Sequence, residues 1–124
     1  MRKIRISAGK VTATAALKEN ATADAIWQAL PMEASGNTWG DEIYFGIPVQ
    51  VAQEKGASDV VELGDLAYWP PGHAFCIFFG PTPASRGSEI RAASAVNVFG
   101  KVEGDAKVFK QVRNGEKVRL EAAE

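Results

Sequence analysis

Few residue types in this sequence can perform chemistry at neutral pH. His73 is the only histidine and Cys76 the only cysteine. Any acid–base role would fall most naturally on His73, because imidazole titrates near neutral pH. His73 follows Pro70-Pro71-Gly72, so an exposed turn histidine without a catalytic partner is the favoured interpretation, and catalysis is the alternative. One histidine and one cysteine do not make a zinc site, and we predict no metal and no cofactor.

Residues 80–86 form the most unusual loop of the chain. Pro81 and Pro83 fix two φ angles and remove two backbone donors, which predicts a stiff, kinked segment. Two interpretations stay open. The loop is either a rigid connector whose Thr82 and Arg86 face water, or a preformed rim in which Arg86 holds a carboxylate or a carbonyl group.

Aromatic side chains are concentrated between residues 39 and 79. Most are expected to fill the core, but those at strand ends beside rigid loops can line the mouth of a pocket. Neighbouring strand residues face opposite ways, so Tyr68 and Trp69 cannot both face one lumen. The predicted ligand-binding residues are Trp39, Tyr44, Phe45, Tyr68, Phe79, Pro81, Thr82 and Arg86.

The carboxylates and serines supply no catalytic motif. Asp41 and Glu42 are adjacent, and adjacent strand residues point to opposite faces. Asp65 follows a glycine and is expected to organise a turn. The chain has no serine-hydrolase elbow, Walker loop or dinucleotide fingerprint. Catalytic residues therefore stay unassigned, with Arg86 and His73 as the candidates.

The elements that must position these residues are mostly short strands. Residues 3–6 and 11–17 flank a turn at Ala8-Gly9, which predicts an opening hairpin. Thr22 can cap a helix that ends near Leu30, because Pro31 cannot continue it. Residues 105–112 suit either a short helix or a strand, and a turn at Asn114-Gly115 precedes a last strand. Further strands are predicted at residues 37–39, 42–45, 49–52, 60–62, 66–69, 74–79, 95–99 and 117–121.

Composition limits the classes of function. The chain has 124 residues, 46% hydrophobic and 23% charged, so residues 1–124 are predicted to form a single domain. The formal charge of -1 predicts no nucleic-acid partner and no attraction to an anionic membrane. A lone cysteine and an N-terminus without an apolar signal core predict a cytoplasmic protein.

Four segments carry a resemblance to a known family. They are residues 39–45 (WGDEIYF), 64–72 (GDLAYWPPG), 76–85 (CIFFGPTPAS) and 98–104 (VFGKVEG). Their order and spacing resemble the small prokaryotic cyclophilin-like family, and the last segment is similar to the valine-phenylalanine-glycine-lysine-valine segment of true cyclophilins. The resemblance implies a mainly β fold, a closed barrel of about eight strands with one or two short helices.

True cyclophilins are peptidyl-prolyl isomerases, in which an arginine of a phenylalanine-histidine-arginine motif stands beside the proline amide. The comparable stretch here is residues 44–48, where Phe45 matches the aromatic and no arginine follows. The isomerase arginine is therefore not carried over, and Arg86 would have to supply the cation from another loop.

Three functions remain open at this point. The first is a binding module for a small molecule or for an extended, proline-containing peptide. The second is a divergent peptidyl-prolyl isomerase that uses Arg86. The third, which the resemblance implies, is an accessory subunit of an amide-hydrolysing assembly of the oxoprolinase type. A second copy of the chain or a partner subunit stays open as a protein partner.

Overall fold

The computed structural model describes residues 2–123, which form ten strands and one α-helix. Two 3-10 turns, Pro70–Gly72 and Ala106–Gln111, complete the regular structure. The bounds are β1 Lys3–Ala8, β2 Val11–Leu17, α1 Ala21–Ala29, β3 Met32–Ser35, β4 Asn37–Thr38, β5 Glu42–Gly46, β6 Ser58–Val61, β7 Asp65–Trp69, β8 Ala74–Phe78, β9 Ile90–Val102 and β10 Lys117–Ala122.

The strands form one curled sheet in the order β3-β10-β1-β2-β9-β7-β8-β5-β4, and β6 pairs with β9 beside this path. The two ends of the path, β3 and β4, follow each other along the chain with only Gly36 between them. The sheet therefore curls until its ends meet, but no ladder closes it within residues 2–123. The predicted mainly β class is confirmed, whereas a closed barrel of about eight strands is not confirmed.

The opening hairpin is confirmed, and it lies in the middle of the strand order. β1 pairs with β2 on one side and with β10 on the other. Period two puts Ile4 and Ile6 on the inner face, where both are fully buried. The first and last strands of the chain are thus neighbours in the sheet.

The helix begins two residues earlier than the sequence pattern predicts. Asn20, not Thr22, is the N-cap, and its side chain accepts a hydrogen bond of 2.8 Å from the N–H of Ala23. Thr22 lies inside the first turn, where it is buried and donates to the carboxylate of Glu54. The helix ends at Ala29, just before Pro31, as predicted.

Two apolar clusters lie on opposite faces of the sheet. The inner cluster fills the curl and contains α1 residues as well as Phe75 and Phe99, whose ring centroids are 5.1 Å apart. The outer cluster lies on the other face of β7, β8 and β9. Its buried residues are Val61, Ala67, Ala74, Cys76, Phe78, Ile90, Ala92 and Val96.

The predicted strand at residues 49–52 is absent, because side chains satisfy the backbone there. The Tyr68 hydroxyl donates to the carbonyl of Val49 at 2.6 Å and accepts from the N–H of Val51 at 3.4 Å. The buried amide of Asn97 donates to the carbonyl of Ala52 at 3.0 Å. With these bonds made, the segment needs no ladder. The ambiguous residues 105–112 form the second 3-10 turn, Ala106–Gln111.

Gly100 lies at a close approach within the sheet, where β9 lies between β2 and β7. A Cβ at this position would lie 2.8 Å from the carbonyl oxygen of Ala16, with the side chains of Leu17 and Leu66 on either side. We predict that Gly100→Ala lowers the free energy of unfolding by about 1–3 kcal/mol. Denaturant unfolding of the variant and the wild type measures this change in the free energy of unfolding. Gly56→Ala, where a Cβ meets nothing within 4 Å, is the control. Equal effects of the two substitutions would contradict the packing described.

Candidate functional site

The outer face of the sheet carries a cavity of about 280 Å³, which we call the outer cavity. Its lining is Trp39, Glu42, Tyr44, Trp69, Cys76, Ala92, Ala93 and Val96. These residues come from the turn before β5 and from strands β5, β7, β8 and β9. The outer cavity therefore lies beside the outer cluster, on the side of the sheet away from the inner core.

Strand alternation brings the lining residues together. Glu42 and Tyr44 are two apart on β5, and Tyr44 stands opposite Cys76 of β8. Cys76 in turn stands opposite Ala67 of β7. The residues between them, such as Ile43, belong to the inner cluster. Because side chains alternate along a strand, the carboxyl group of Glu42 and the ring of Tyr44 lie on the same outer face.

Glu42 is the chemical centre of the outer cavity. The residue is 5% exposed, and its Oε1 atom is buried without a hydrogen-bond partner. Burial raises the pKa of the Glu42 carboxyl to about 7, and the neighbouring Cys76 thiol opposes that rise in part. A buried carboxylate normally has partners for its oxygens, so Glu42 departs from the usual pattern of full hydrogen bonding.

Hydrogen bonds outside the cavity fix the two tryptophans of its lining, Trp69 and Trp39. The indole N–H of Trp69 donates to the Ser94 hydroxyl at 2.7 Å, so this residue offers the cavity its ring. A Cβ on Gly72 would lie 2.8 Å from the Trp69 ring, which means that only glycine lets the ring pack over this turn. Trp39 is fixed through its backbone N–H, which donates to the carbonyl of Glu42 at 2.9 Å.

Cys76 does not act as a nucleophile at this site. Its thiol is buried, and burial beside Glu42 raises the thiol pKa well above the ordinary value. The reactive form is the thiolate, which this environment disfavours. The lining can bind a molecule with an apolar body and a hydrogen-bond donor.

The aromatic residues among the predicted site residues fall into two groups. Trp39 and Tyr44 line the outer cavity. Phe45, Tyr68 and Phe79 face the inner cluster instead. Phe45 stacks on the ring of Phe75 at 5.1 Å between centroids, so this side of β5 serves the core.

The 80–86 loop contacts the turn that carries Trp39 and leads into Glu42 at the start of β5. The carbonyl of Pro81 accepts a hydrogen bond of 3.0 Å from the N–H of Asp41. Thr82 is buried and donates to the carbonyl of Arg91. Arg86 is exposed, and its backbone N–H donates to Glu89 at 2.9 Å. None of the three loop residues lines the outer cavity.

His73 lies in an exposed turn on the far side of Tyr68. Its φ of 47° is in the left-handed region, and its Nδ1 lies 3.2 Å from the Tyr68 hydroxyl. His73 does not line the outer cavity. Across residues 2–123, no group of three His, Cys, Asp or Glu side chains is placed to hold a metal ion.

Sequence reasoning missed Glu42 and Trp69 as lining residues. Alternation predicts that Asp41 and Glu42 point to opposite faces, and the same alternation places Glu42 beside Tyr44. Of Tyr68 and Trp69, which are expected on opposite faces, Trp69 lines the outer cavity and Tyr68 lies in the inner cluster. The signal that could have found Glu42 is a charged residue within an otherwise apolar strand, E-I-Y-F, on a face shared with an aromatic side chain.

Comparisons with known proteins give a family and a fold. A family model described as cyclophilin-like matches residues 2–121. The solution structure of the hypothetical protein AF2241 from Archaeoglobus fulgidus is 45% identical, with a TM-score of 0.84, covering 98% of this chain and 95% of that chain. The structure of McbB in complex with tryptophan is 14% identical, with a TM-score of 0.71, covering 97% of this chain and 44% of that chain. No curated protein matches the sequence. Within the described residues, no helix is long and apolar enough to cross a membrane.

The buried carboxyl makes stability depend on pH. Because burial raises the folded-state pKa of Glu42 from 4.5 to about 7, the folded protein holds the proton more tightly than the unfolded chain. The wild-type free energy of unfolding therefore falls as pH rises through this window. We predict that the free energy of unfolding of Glu42→Gln, measured relative to wild type, increases by roughly 2–3 kcal/mol when the pH is raised from about 5 to about 8.

Thermal and denaturant unfolding at both pH values measure this difference. Glu19→Gln at an exposed site is the matched control and should show no comparable gain. A wild-type-to-variant difference that stays constant with pH would show that Glu42 does not titrate in this range.

Proposed function

The chain belongs to the cyclophilin-like family, and we propose that it is a binding module for a small molecule that occupies the outer cavity. A shared fold does not fix one chemistry, so the proposal is argued from the site. The observation that carries this proposal is a carboxyl group, that of Glu42, which lines an apolar cavity and has one oxygen buried without a hydrogen-bond partner. A small ligand site is typically concave and mostly apolar, with a few placed polar groups. The outer cavity has this character.

The size of the outer cavity supports a small ligand over a long peptide. A volume of about 280 Å³ is near the lower end of ordinary ligand pockets and suits one aromatic ring with a short side group. The McbB structure, of which this chain covers 44%, is a complex with tryptophan, a molecule of this size.

Prolyl isomerisation finds less support in the lining. That chemistry needs a cation beside the proline amide, and the residues that line the outer cavity include no arginine, lysine or histidine. Glu42, their charged member, has the opposite sign.

A blocking substitution tests the binding function. Ala93 is exposed at the edge of the outer cavity, so Ala93→Phe can obstruct the space without disturbing the core. Using indole as the probe, we predict wild-type binding with a Kd of about 1 mM, equivalent to about 4 kcal/mol. The amide shifts in NMR titrations should centre on β5, β8 and β9. Ala93→Phe should weaken binding at least about tenfold, which is about 1.4 kcal/mol.

Ala122→Phe is the matched control, because Ala122 is an exposed strand alanine outside the cavity. It should leave the titration unchanged. Indole binding that survives Ala93→Phe, or shifts spread evenly over the chain, would rule out the outer cavity as the binding site.

Exchange spectroscopy on short Xaa-Pro peptides tests the isomerase alternative. Because no cation lines the outer cavity, we predict that the cis and trans signals exchange at the rate of the free peptide. Faster exchange that is lost in Arg86→Ala would instead establish a divergent isomerase.

A further inference from the structure

Building on the ligand-binding function above, we propose that the ligand of the outer cavity carries a primary ammonium group, which binds Glu42 and is flanked by the aromatic rings of the lining. The proposal names the chemical class of the ligand. It rests on the charge, the open hydrogen-bond acceptor and the aromatic composition of one site.

The charge of the lining is negative and uncompensated. Glu42 is the charged residue among those that line the cavity, and the titratable groups that face it are the Cys76 thiol from β8 and the Tyr44 hydroxyl on its own strand. β7 and β9 contribute Trp69 and small apolar residues. The adjacent carboxylate of Asp41 lies 3.7 Å from the Nζ atom of Lys110, so this lysine serves Asp41. A cationic ligand would supply the missing charge.

The open acceptor specifies a donor. An ionised carboxylate accepts about four hydrogen bonds, yet Oε1 of Glu42 has no partner and the Cys76 thiol is a weak donor. A primary ammonium group brings three N–H donors. A quaternary ammonium group carries the same charge but no N–H, so it cannot donate a hydrogen bond to the Glu42 carboxylate.

The aromatic residues favour a cation over a neutral donor. Trp39, Tyr44 and Trp69 line the same cavity as Glu42. Faces of such rings attract cations, tryptophan most strongly. Trp69 uses its N–H on Ser94, so it contributes its ring and does not compete with the ligand for Glu42.

The carboxylate must be ionised for this interaction, which links binding to pH. With the Glu42 pKa at about 7, roughly one tenth of the free protein is ionised at pH 6 and roughly nine tenths at pH 8. An alkylammonium group stays charged over this range, as lysine does at about 10.4. Affinity for an ammonium ligand should therefore rise about tenfold from pH 6 to pH 8.

Calorimetric titration with four matched probes tests the proposal. The probes are benzylamine, benzyl alcohol, benzyltrimethylammonium and benzamide. At pH 8 we expect benzylamine to bind at least about tenfold more tightly than the other three, and about tenfold more tightly than at pH 6. Glu42→Gln should remove both the preference for benzylamine and the pH dependence, whereas Glu19→Gln should keep them.

The outcomes separate this inference from the proposed function. Equal affinity for benzylamine and benzyl alcohol would overturn the ammonium assignment and leave small-molecule binding standing. Tighter binding of benzamide at low pH would overturn it too, since a protonated Glu42 would then donate to a carbonyl. If no probe binds and indole also fails, the binding function itself is wrong. The pH dependence in the wild-type protein needs no variant and is independent of any folding defect.

Discussion

The burial of β8 on both of its faces is the constraint on which the rest of the structure depends. All five residues of this strand are buried, although their side chains alternate between two faces. Phe75 and Ile77 enter the inner cluster, while Cys76 and Phe78 enter the outer one. A strand of this kind must be covered twice, by the curl of the sheet on one side and by β6 and the first part of β9 on the other. The outer cavity is the space that this second cover leaves beside β5.

Glu42 is a costly residue in that position. An ionised carboxylate away from water loses its hydration, and the thiol of Cys76 replaces little of it. An apolar side chain on the same face of β5 would extend the outer cluster and remove the open acceptor. Departures of this kind from good packing and full hydrogen bonding concentrate at functional sites, where a ligand completes the arrangement. The buried, unpartnered Oε1 of Glu42 is therefore the departure from full hydrogen bonding on which the proposed binding function rests.

Local patterns predicted much of the fold, and long-range contacts decided the rest. Alternation at residues 3–6 and 11–17 was enough for the hairpin, because both signals lie within a few residues. The failed strand at residues 49–52 depends on Tyr68 and Asn97, which are distant in sequence. The same limit applied to the site. Trp39 and Tyr44 are predicted from the concentration of aromatic residues and their places beside chain breaks, whereas the role of Glu42 depends on its burial without a hydrogen-bond partner, which no local pattern reveals.

The proline-containing loop shows how a sequence feature can matter to a site without lining it. Gly40 has a φ of 60°, and a Cβ there would lie 2.8 Å from Pro83, so the turn before β5 and this loop are in direct contact. The N–H of Phe79, just before the loop, donates to the carbonyl of Asp41 at 2.9 Å, and Thr82 within the loop donates to the carbonyl of Arg91 on β9. Prolines limit the movement of such a segment. The loop therefore connects the turn that carries Trp39 to β9, the strand that carries Ala92 and Ala93, and these residues line the outer cavity from two sides.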